Sequence, residues 1–595
     1  MKSLHHGTFV AALLFAVGCA TAPQPVTKIV NGRVVVTRAV SPEAYEHVTR
    51  AYLYEQEERW KDAADELQRA LPFDSEAAEE RAHLAELFIK LERLDDAAEQ
   101  IARSLQIGET VEGYLARAHL AQAHDDEAHH AQAIPALRDA ARLALEDDDP
   151  EAIELTHLEL SEAQVVTLDL GAALETARRL VDAVPETLRG RLQLAVVGWA
   201  TGAFDQAAAA LASAIEIEPN DVEARILLAE LQVATNKIPA GKASFRAAID
   251  RADAAMAVAD AFAGWLVLRG DVAEAQELAD RLVADAGDAD TLATASTFER
   301  TVKRFDRAVA LAERAAKLGL AAGRRALLIG AAALVKEDKP GAVAAYLGVD
   351  KKDPSFFEAR LRAAEVLREQ GKVDEAERAL NEAADAVSQA DTPAQVEDRR
   401  IELAVALSQV DEKRGDAARA ARRLDDALGK DPDAHGDPRL ILARAAVDER
   451  RGDWQRAIAR GERVLARKPR SVEALNFVGF VAADHGHDMA RTLKRIQAAV
   501  VLSPGSGAII DSLGWAYFRT GDLARADIFL EQAGRLEPGD AEVMEHLGDL
   551  YAKRQERDRA LATYRRALDF KPSDRVAREL GDRIRTLEAK SAAGR

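Results

Sequence analysis

Two stretches near the C-terminus carry the same order of apolar, small and polar positions. "DSLGWAYFRTGDLARADIFLEQAGRLEP" (511–538) and "EHLGDLYAKRQERDRALATYRRALDFKP" (545–572) align without a gap at a spacing of 34 residues. Leu513-Gly514 falls on Leu547-Gly548, Tyr517 on Tyr551, Ala526 on Ala560, Ala533 on Ala567 and Pro538 on Pro572. Followed backwards, the small position of the second half recurs at Ala63, Ala97, Ala133, Ala173, Ala207, Gly241, Ala275, Ala308, Ala342, Ala376, Ala420, Ala457, Thr492, Ala526 and Ala560. Only a small side chain lets two helix backbones approach closely where they cross. Larger residues three or four positions away fill the groove beside that crossing: Leu67, Leu211, Phe245, Tyr346, Leu380, Leu530 and Tyr564. Glycine recurs in the middle of the unit (Gly202, Gly270, Gly371, Gly415, Gly452, Gly486, Gly521), where a tight turn needs backbone freedom. Proline recurs at the end of the unit (Pro185, Pro219, Pro354, Pro432, Pro469, Pro504, Pro538, Pro572), where it stops one helix and suits the entry to the next. A long bundle or coiled coil would need heptads sustained across these breaks, and the breaks exclude it.

This pattern resembles the tetratricopeptide repeat, a helix–turn–helix unit of 34 residues. The resemblance implies an all-α, right-handed α-solenoid of about fifteen such repeats over residues 42–572. "SDRVARELGDRIRTLEAK" follows as a polar-faced amphipathic capping helix within 573–595. The array is not uniform. Its spacing widens to 36 and then 40 between Ala97 and Ala173, around "LEDDDP" (145–150), and to 44 between Ala376 and Ala420, where "DAVSQADTPAQ" (385–395) intervenes. A longer helix, a loop or a change of pitch is expected at both places.

The N-terminus has a different pattern. Met1-Lys2 precedes an apolar run from Thr8 to Gly18, too short to span a membrane but the length of a secretory signal core. Ala16-Val17-Gly18-Cys19 resembles the lipobox of bacterial lipoproteins, with Ala16 where leucine is usual. That resemblance implies a signal peptide over 1–18 and lipidation of Cys19, the single cysteine of the chain. An ordinary secretion signal cut after Ala22 is the alternative, since Ala20-Thr21-Ala22 is small-x-small. Ala20, in place of the Asp that retains lipoproteins at the inner membrane, favours the outer membrane of a Gram-negative cell, facing the periplasm. Residues 19–41 then form a tether. Within it "VTKIVNGRVVVTR" (26–38) carries an Asn31-Gly32 hairpin signal, readable as a strand for a partner's sheet edge or as part of the tether itself.

Composition narrows the function. Against 80 basic residues stand 101 acidic ones, a net charge of −21 that disfavours DNA, RNA and anionic lipid as principal partners. At 595 residues the length disfavours a single compact core. Catalytic chemistry has little room, because the repeats take nearly all of the mature chain. "GKASF" (241–245) lacks the upstream glycine of a phosphate loop, and no HExxH occurs. A dense group of potential ligands, His119, His124, Asp125, Asp126, Glu127, His129 and His130, leaves a metal-dependent enzyme as a competing reading. Its His124 and His129 are five apart, outside the spacing that puts two ligands on one helical face, so no metal or other cofactor is assigned.

What remains is protein binding. In the family resembled, the first helix of each repeat lines a groove that takes extended or helical segments. Near the C-terminus the positions facing that groove are Asn476, Phe480 and Asp484, then Asp511, Trp515, Phe518 and Arg519, then Glu542, Glu545, Asp549 and Lys553. Two readings of Trp515 and Phe518 stand: aromatic binding surface beside acids that favour a basic or mixed-charge ligand, or packing against the adjacent repeat. The expected function is a non-catalytic scaffold for envelope proteins. A narrower alternative is an assembly factor for a secretin, pilus, polysaccharide exporter or gliding machine.

Overall fold

Fifteen positions carry the small residue of the second helix, and all thirteen alanines among them have no exposed surface. Thr492 is 1% exposed, and a Cβ at Gly241 would lie 2.5 Å from Val233. The large residues expected beside these crossings, from Leu67 to Tyr564, are likewise buried. The computed structural model describes residues 25–30, 33–38 and 41–592, apart from 75, 125, 252–254, 388–391, 430–435, 538 and 570–573. Cys19 and the expected signal peptide lie outside the described residues, as do Asn31 and Gly32. On either side of that pair, Pro25–Val30 and Arg33–Arg38 form an antiparallel hairpin, in register from Pro25↔Arg38 to Val30↔Arg33.

From Pro42 onward the described residues are mostly helical. Among them the helices follow one another as first and second members of helix–turn–helix units, and a last helix, Asp574–Ala592, succeeds them. The solenoid architecture implied by the repeat pattern is therefore the architecture of the chain. The turn between first and second helix uses a left-handed residue. Gly202, Gly270, Gly371, Gly415, Gly452, Gly486 and Gly521 all have φ between +64° and +88°. Where glycine is missing, the same conformation is forced on Glu58, Glu92, Leu168, Asn236, Lys303, Glu337 and Gln555. Side-chain caps start many helices; Asp149, for example, accepts from the Glu151 and Ala152 backbone N–H groups.

Longer helices occupy both widened spacings. Glu127–Asp147 and Pro393–Lys413 are each 21 residues long. The acidic "LEDDDP" ends the first of these and caps the next: Asp148 turns left-handed at φ +56°, and Asp149 is the N-cap of Pro150–Val166. Thr392 and Gln395 form a capping box at the start of the second.

Contacts divide the chain into two units, one up to Leu120 and one from Ala121. In the first, Pro42–Gln56 packs on Trp60–Ala70 and Ala78–Lys90 on Leu94–Ile107, around Leu67, Leu84, Leu87 and Phe88. In the second, each repeat packs on the next, and one relationship is not nearest-neighbour. Second helices of late repeats lie against first helices of early ones. Met489–Leu502 packs on Leu188–Thr201 and Pro150–Val166, and Leu523–Leu536 packs on Val222–Ala234 and Ala255–Arg269. Phe529 and Phe204 meet at 5.8 Å, Arg470 pairs with Glu162, and a Cβ at Gly202 would lie 2.7 Å from Arg525 Nε. The later repeats thus fill the face that the early first helices would otherwise offer to a ligand.

Candidate functional site

The eleven residues expected to face a ligand near the C-terminus do come together, but their centre is interior. Trp515 is 8% exposed and Asp511 is 4% exposed. Trp515 stacks on Phe518 at 5.0 Å and on His546 of the next repeat at 4.1 Å, and Phe480 lies 6.0 Å from the same imidazole. The reading of Trp515 as open aromatic surface is therefore corrected: its ring is spent on packing between repeats. Asp511 does not await a basic ligand either, because His546 Nδ1 lies 2.8 Å from its Oδ2. Burial opposes a charge on His546, but the charge and hydrogen bond of Asp511, with Glu542 and Glu545 beyond, outweigh it and push its pKa up to about 9.

Glu545, Asp549 and Asp484 are also engaged. Arg583, from the last helix, reaches Glu545 at 2.7 Å and Asp549 at 3.0 Å. Burial raises both carboxyls above the usual range, against the pull of Arg583. Tyr564 donates to Asp549 at 2.5 Å. Arg519 bonds the Asp484 backbone carbonyl and lies 3.3 Å from its carboxylate, and Asn476 is half-buried. Only Asp484, Arg519, Glu542 and Lys553 of the eleven are exposed.

The described members of the histidine group are bonded or stacked locally. His119 bonds Glu86 at 2.7 Å, whereas His129 bonds Asp126 at 2.6 Å and stacks on His124 at 4.4 Å. His130 is buried, and Asp125 lies outside the described residues. No group of three or more metal-ligating side chains occurs among the described residues.

An open groove does exist, and it lies earlier in the chain. Four successive first helices, Ala255–Arg269, Ala289–Thr301, Ala322–Val335 and Phe356–Glu369, line a cavity of about 1040 Å³. Its floor is a helical stripe: Leu327, Leu328, Ala331, Leu334 and Val335. The helix that carries it, "AGRRALLIGAAALV", is apolar nearly all round, yet only Gly323, Gly330 and Ala332 of its residues are buried. A helix of that composition is ordinarily enclosed, and here Val335 is 44% exposed. A second cavity of about 680 Å³ shares Glu358, Arg362 and Glu365 with the first and continues over Leu361, Val405 and Ala406 to Arg439.

Charges rim the groove, and most are already paired. Arg362 lies between Glu358 at 3.7 Å and Glu365 at 3.8 Å, Lys339 holds Glu369, and Asp290 holds Arg324. At the groove's head Asp260 differs. Its Oδ1 is buried with no hydrogen-bond partner, and burial pushes its carboxyl up despite Thr301 and Arg300. Sequence reasoning missed this site because it sought aromatics. The usable signal was an apolar helix at a first-helix position, with no polar face to turn to solvent.

Comparison with known proteins agrees with the repeat architecture. Three family models described as tetratricopeptide repeat match residues 397–573, 199–261, and 158–222 with 349–391, together more than half of the chain. The chain belongs to the tetratricopeptide repeat proteins, a fold that serves as a scaffold for binding other proteins. A tetratricopeptide repeat-containing protein of Pseudomonas aeruginosa, PA4667, is 31% identical over 182 residues, which are 30% of this chain. The chain spans only 28% of that relative's length. Among solved structures, a tetratricopeptide repeat protein from Parabacteroides merdae aligns with 45% of this chain and 99% of its own, at 15% identity and a TM-score of 0.31. The Cut9–Hcn1 hetero-tetramer of the APC/C aligns over 92% of this chain and 93% of its own, at 14% identity and a TM-score of 0.33.

Proposed function

We propose that this chain is a non-catalytic scaffold, lipid-anchored through Cys19 at the periplasmic face of a Gram-negative outer membrane, which holds other envelope proteins in the groove between Ala255 and Lys413. The observation that carries the binding role is the half-exposed apolar helix Ala322–Val335, at a position where the neighbouring first helices bury their apolar residues. An exposed apolar surface of this kind is retained where something covers it. Support for the anchor is the lone cysteine at the end of an apolar stretch of signal length.

Two experiments test the proposal. Cys19→Ser is expected to remove the lipid and move the protein out of the membrane fraction. Membrane retention of that variant, with an unmodified Cys19 in the wild type, contradicts the anchor. Capture of envelope proteins from detergent-solubilised membranes is expected to fall when Ala331 and Val335 are both replaced by Asp. Unchanged capture contradicts the groove.

A further inference from the structure

A cavity of another kind opens on the side of the second helices. It has a volume of about 680 Å³ and lies between Glu127–Asp147 and Leu170–Ala183, second helices of consecutive repeats, with the first helix Pro150–Val166 as its floor. One repeating position accounts for the space. In two later repeats an acid of the first helix meets an arginine of the second: Asp411 accepts from Arg423 at 2.9 Å and Asp448 from Arg460 at 2.8 Å. In the repeat of Ala173 the same positions hold Gln164 and Thr176, and Thr176 donates to Gln164 Oε1 at 2.8 Å. Threonine is far shorter than arginine, so the volume that a guanidinium fills elsewhere stays open here. The Gln232–Ser244 pair is equally short, but Arg225 stands there where His157 stands here.

Two buried polar side chains line this cavity with an atom unpaired. His157 is 3% exposed, and its Nδ1 donates to the Ile153 carbonyl at 2.9 Å. A carbonyl only accepts, so Nδ1 carries the proton and Nε2 is a bare acceptor. Burial, with the charge of Arg179 nearby, lowers the pKa of the ring against the pull of that bond and keeps it neutral. Gln164 is also 3% exposed, and with its Oε1 held by Thr176 its Nε2 remains a donor. Neither Nε2 has a hydrogen-bond partner among the described residues. Buried polar groups are ordinarily paired, and two left open toward one cavity mark a place for a ligand.

The rim supplies charge and the wall supplies apolar surface. Arg142 pairs with Glu146 and Arg179 with Glu175. Arg138 is exposed and has no ion pair or hydrogen bond among the described residues. Leu160 is buried, and Leu145 is 45% exposed at the mouth.

We propose that this cavity binds a small hydroxy acid with an apolar body. The carboxylate meets Arg138, and the apolar body lies against Leu145 and Leu160. The hydroxyl donates to His157 Nε2 and accepts from Gln164 Nε2, because a hydroxyl answers an acceptor and a donor together. The inference goes beyond the scaffold reading and does not depend on the first-helix groove.

The test titrates the full chain with three probes, followed by NMR. Mandelate carries an apolar ring, a hydroxyl and a carboxylate; phenylacetate lacks the hydroxyl, and mandelamide lacks the charge. Mandelate is expected to bind with a Kd below about 1 mM, and each of the others at least about tenfold more weakly. Arg138→Gln should weaken mandelate by at least about tenfold and leave mandelamide unchanged. Gln164→Asp with Thr176→Arg, which installs the pair of the later repeats, should abolish binding without lowering the melting temperature. Because Arg138 is exposed, its variant decides the matter even where the double variant does not fold. A mandelate Kd above about 1 mM, or binding indifferent to Arg138→Gln or to the folded double variant, overturns the inference. Phenylacetate or mandelamide binding as tightly as mandelate overturns it as well.

Discussion

His546 and Asp511, on the first helices of consecutive repeats, form a buried pair with Nδ1 2.8 Å from Oδ2, and the Trp515 ring lies flat against the imidazole. The pair ties the last two complete repeats together by charge as well as by packing. His546 holds its proton up to about pH 9 in the folded chain, against an ordinary value of 6.5. A raised folded value means that the contribution to stability is fully present below about pH 6.5 and is lost as pH rises through about 9. Its size is on the order of 3 kcal/mol at most. Melting measured from pH 6 to pH 10 should show this loss, and His546→Gln should flatten the profile. An identical profile in the variant removes the pair from the stability account.

Trp515 belongs to the same cluster, so Trp515→Ala is a packing mutation. It is expected to cost about 3–5 kcal/mol, with partner capture affected only through unfolding. A melting temperature unchanged from wild type, with capture lost, would restore Trp515 to a binding surface.

The sequence disclosed the repeat because the repeat is local. Ala526 and Ala560 sit at crossings inside one unit, and Gly521 sits in one turn, so their spacing can be read along the chain. The pairing of Phe204 with Phe529, and of Glu162 with Arg470, joins positions about 300 residues apart and leaves no period in the sequence. For the same reason the open and the filled stretches of groove look alike from sequence: which first helices are covered depends on how far the solenoid curls back. Trp515 misled because an aromatic at a first-helix position fits either a ligand or the next repeat, and only His546 opposite decides.

The inner turn gives a cleaner test of local strain. A Cβ at Gly371 would meet nothing within 4 Å, so Gly371→Ala isolates the cost of a left-handed backbone at φ +74°. About 1–2 kcal/mol is expected, confined to the adjoining repeat. Lys303→Gly, at φ +64°, should change stability in the opposite direction. Chemical denaturation of both variants checks the pair of signs.

Because Leu523–Leu536 touches both its own neighbours and the early repeats, damage to it should not stay in the last repeats. Phe529 has no exposed surface and contacts both Tyr517 and Phe204. Phe529→Ala is expected to cost about 3–5 kcal/mol. Hydrogen exchange should then rise within 507–569 and also within 188–269, while the helices from 289 to 369 remain protected. A rise limited to 507–569 contradicts the account.

The filling of the early face by the late repeats is most directly tested by cross-linking. The chain has one cysteine, so Cys19→Ser clears the background for Glu162→Cys and Arg470→Cys, at positions whose side chains form an ion pair. A short bis-maleimide should join the two within one chain in high yield, seen as a shifted band that dilution does not remove. Ready labelling of each cysteine alone, without an intramolecular link in the double variant, would show an open solenoid and contradict the closure.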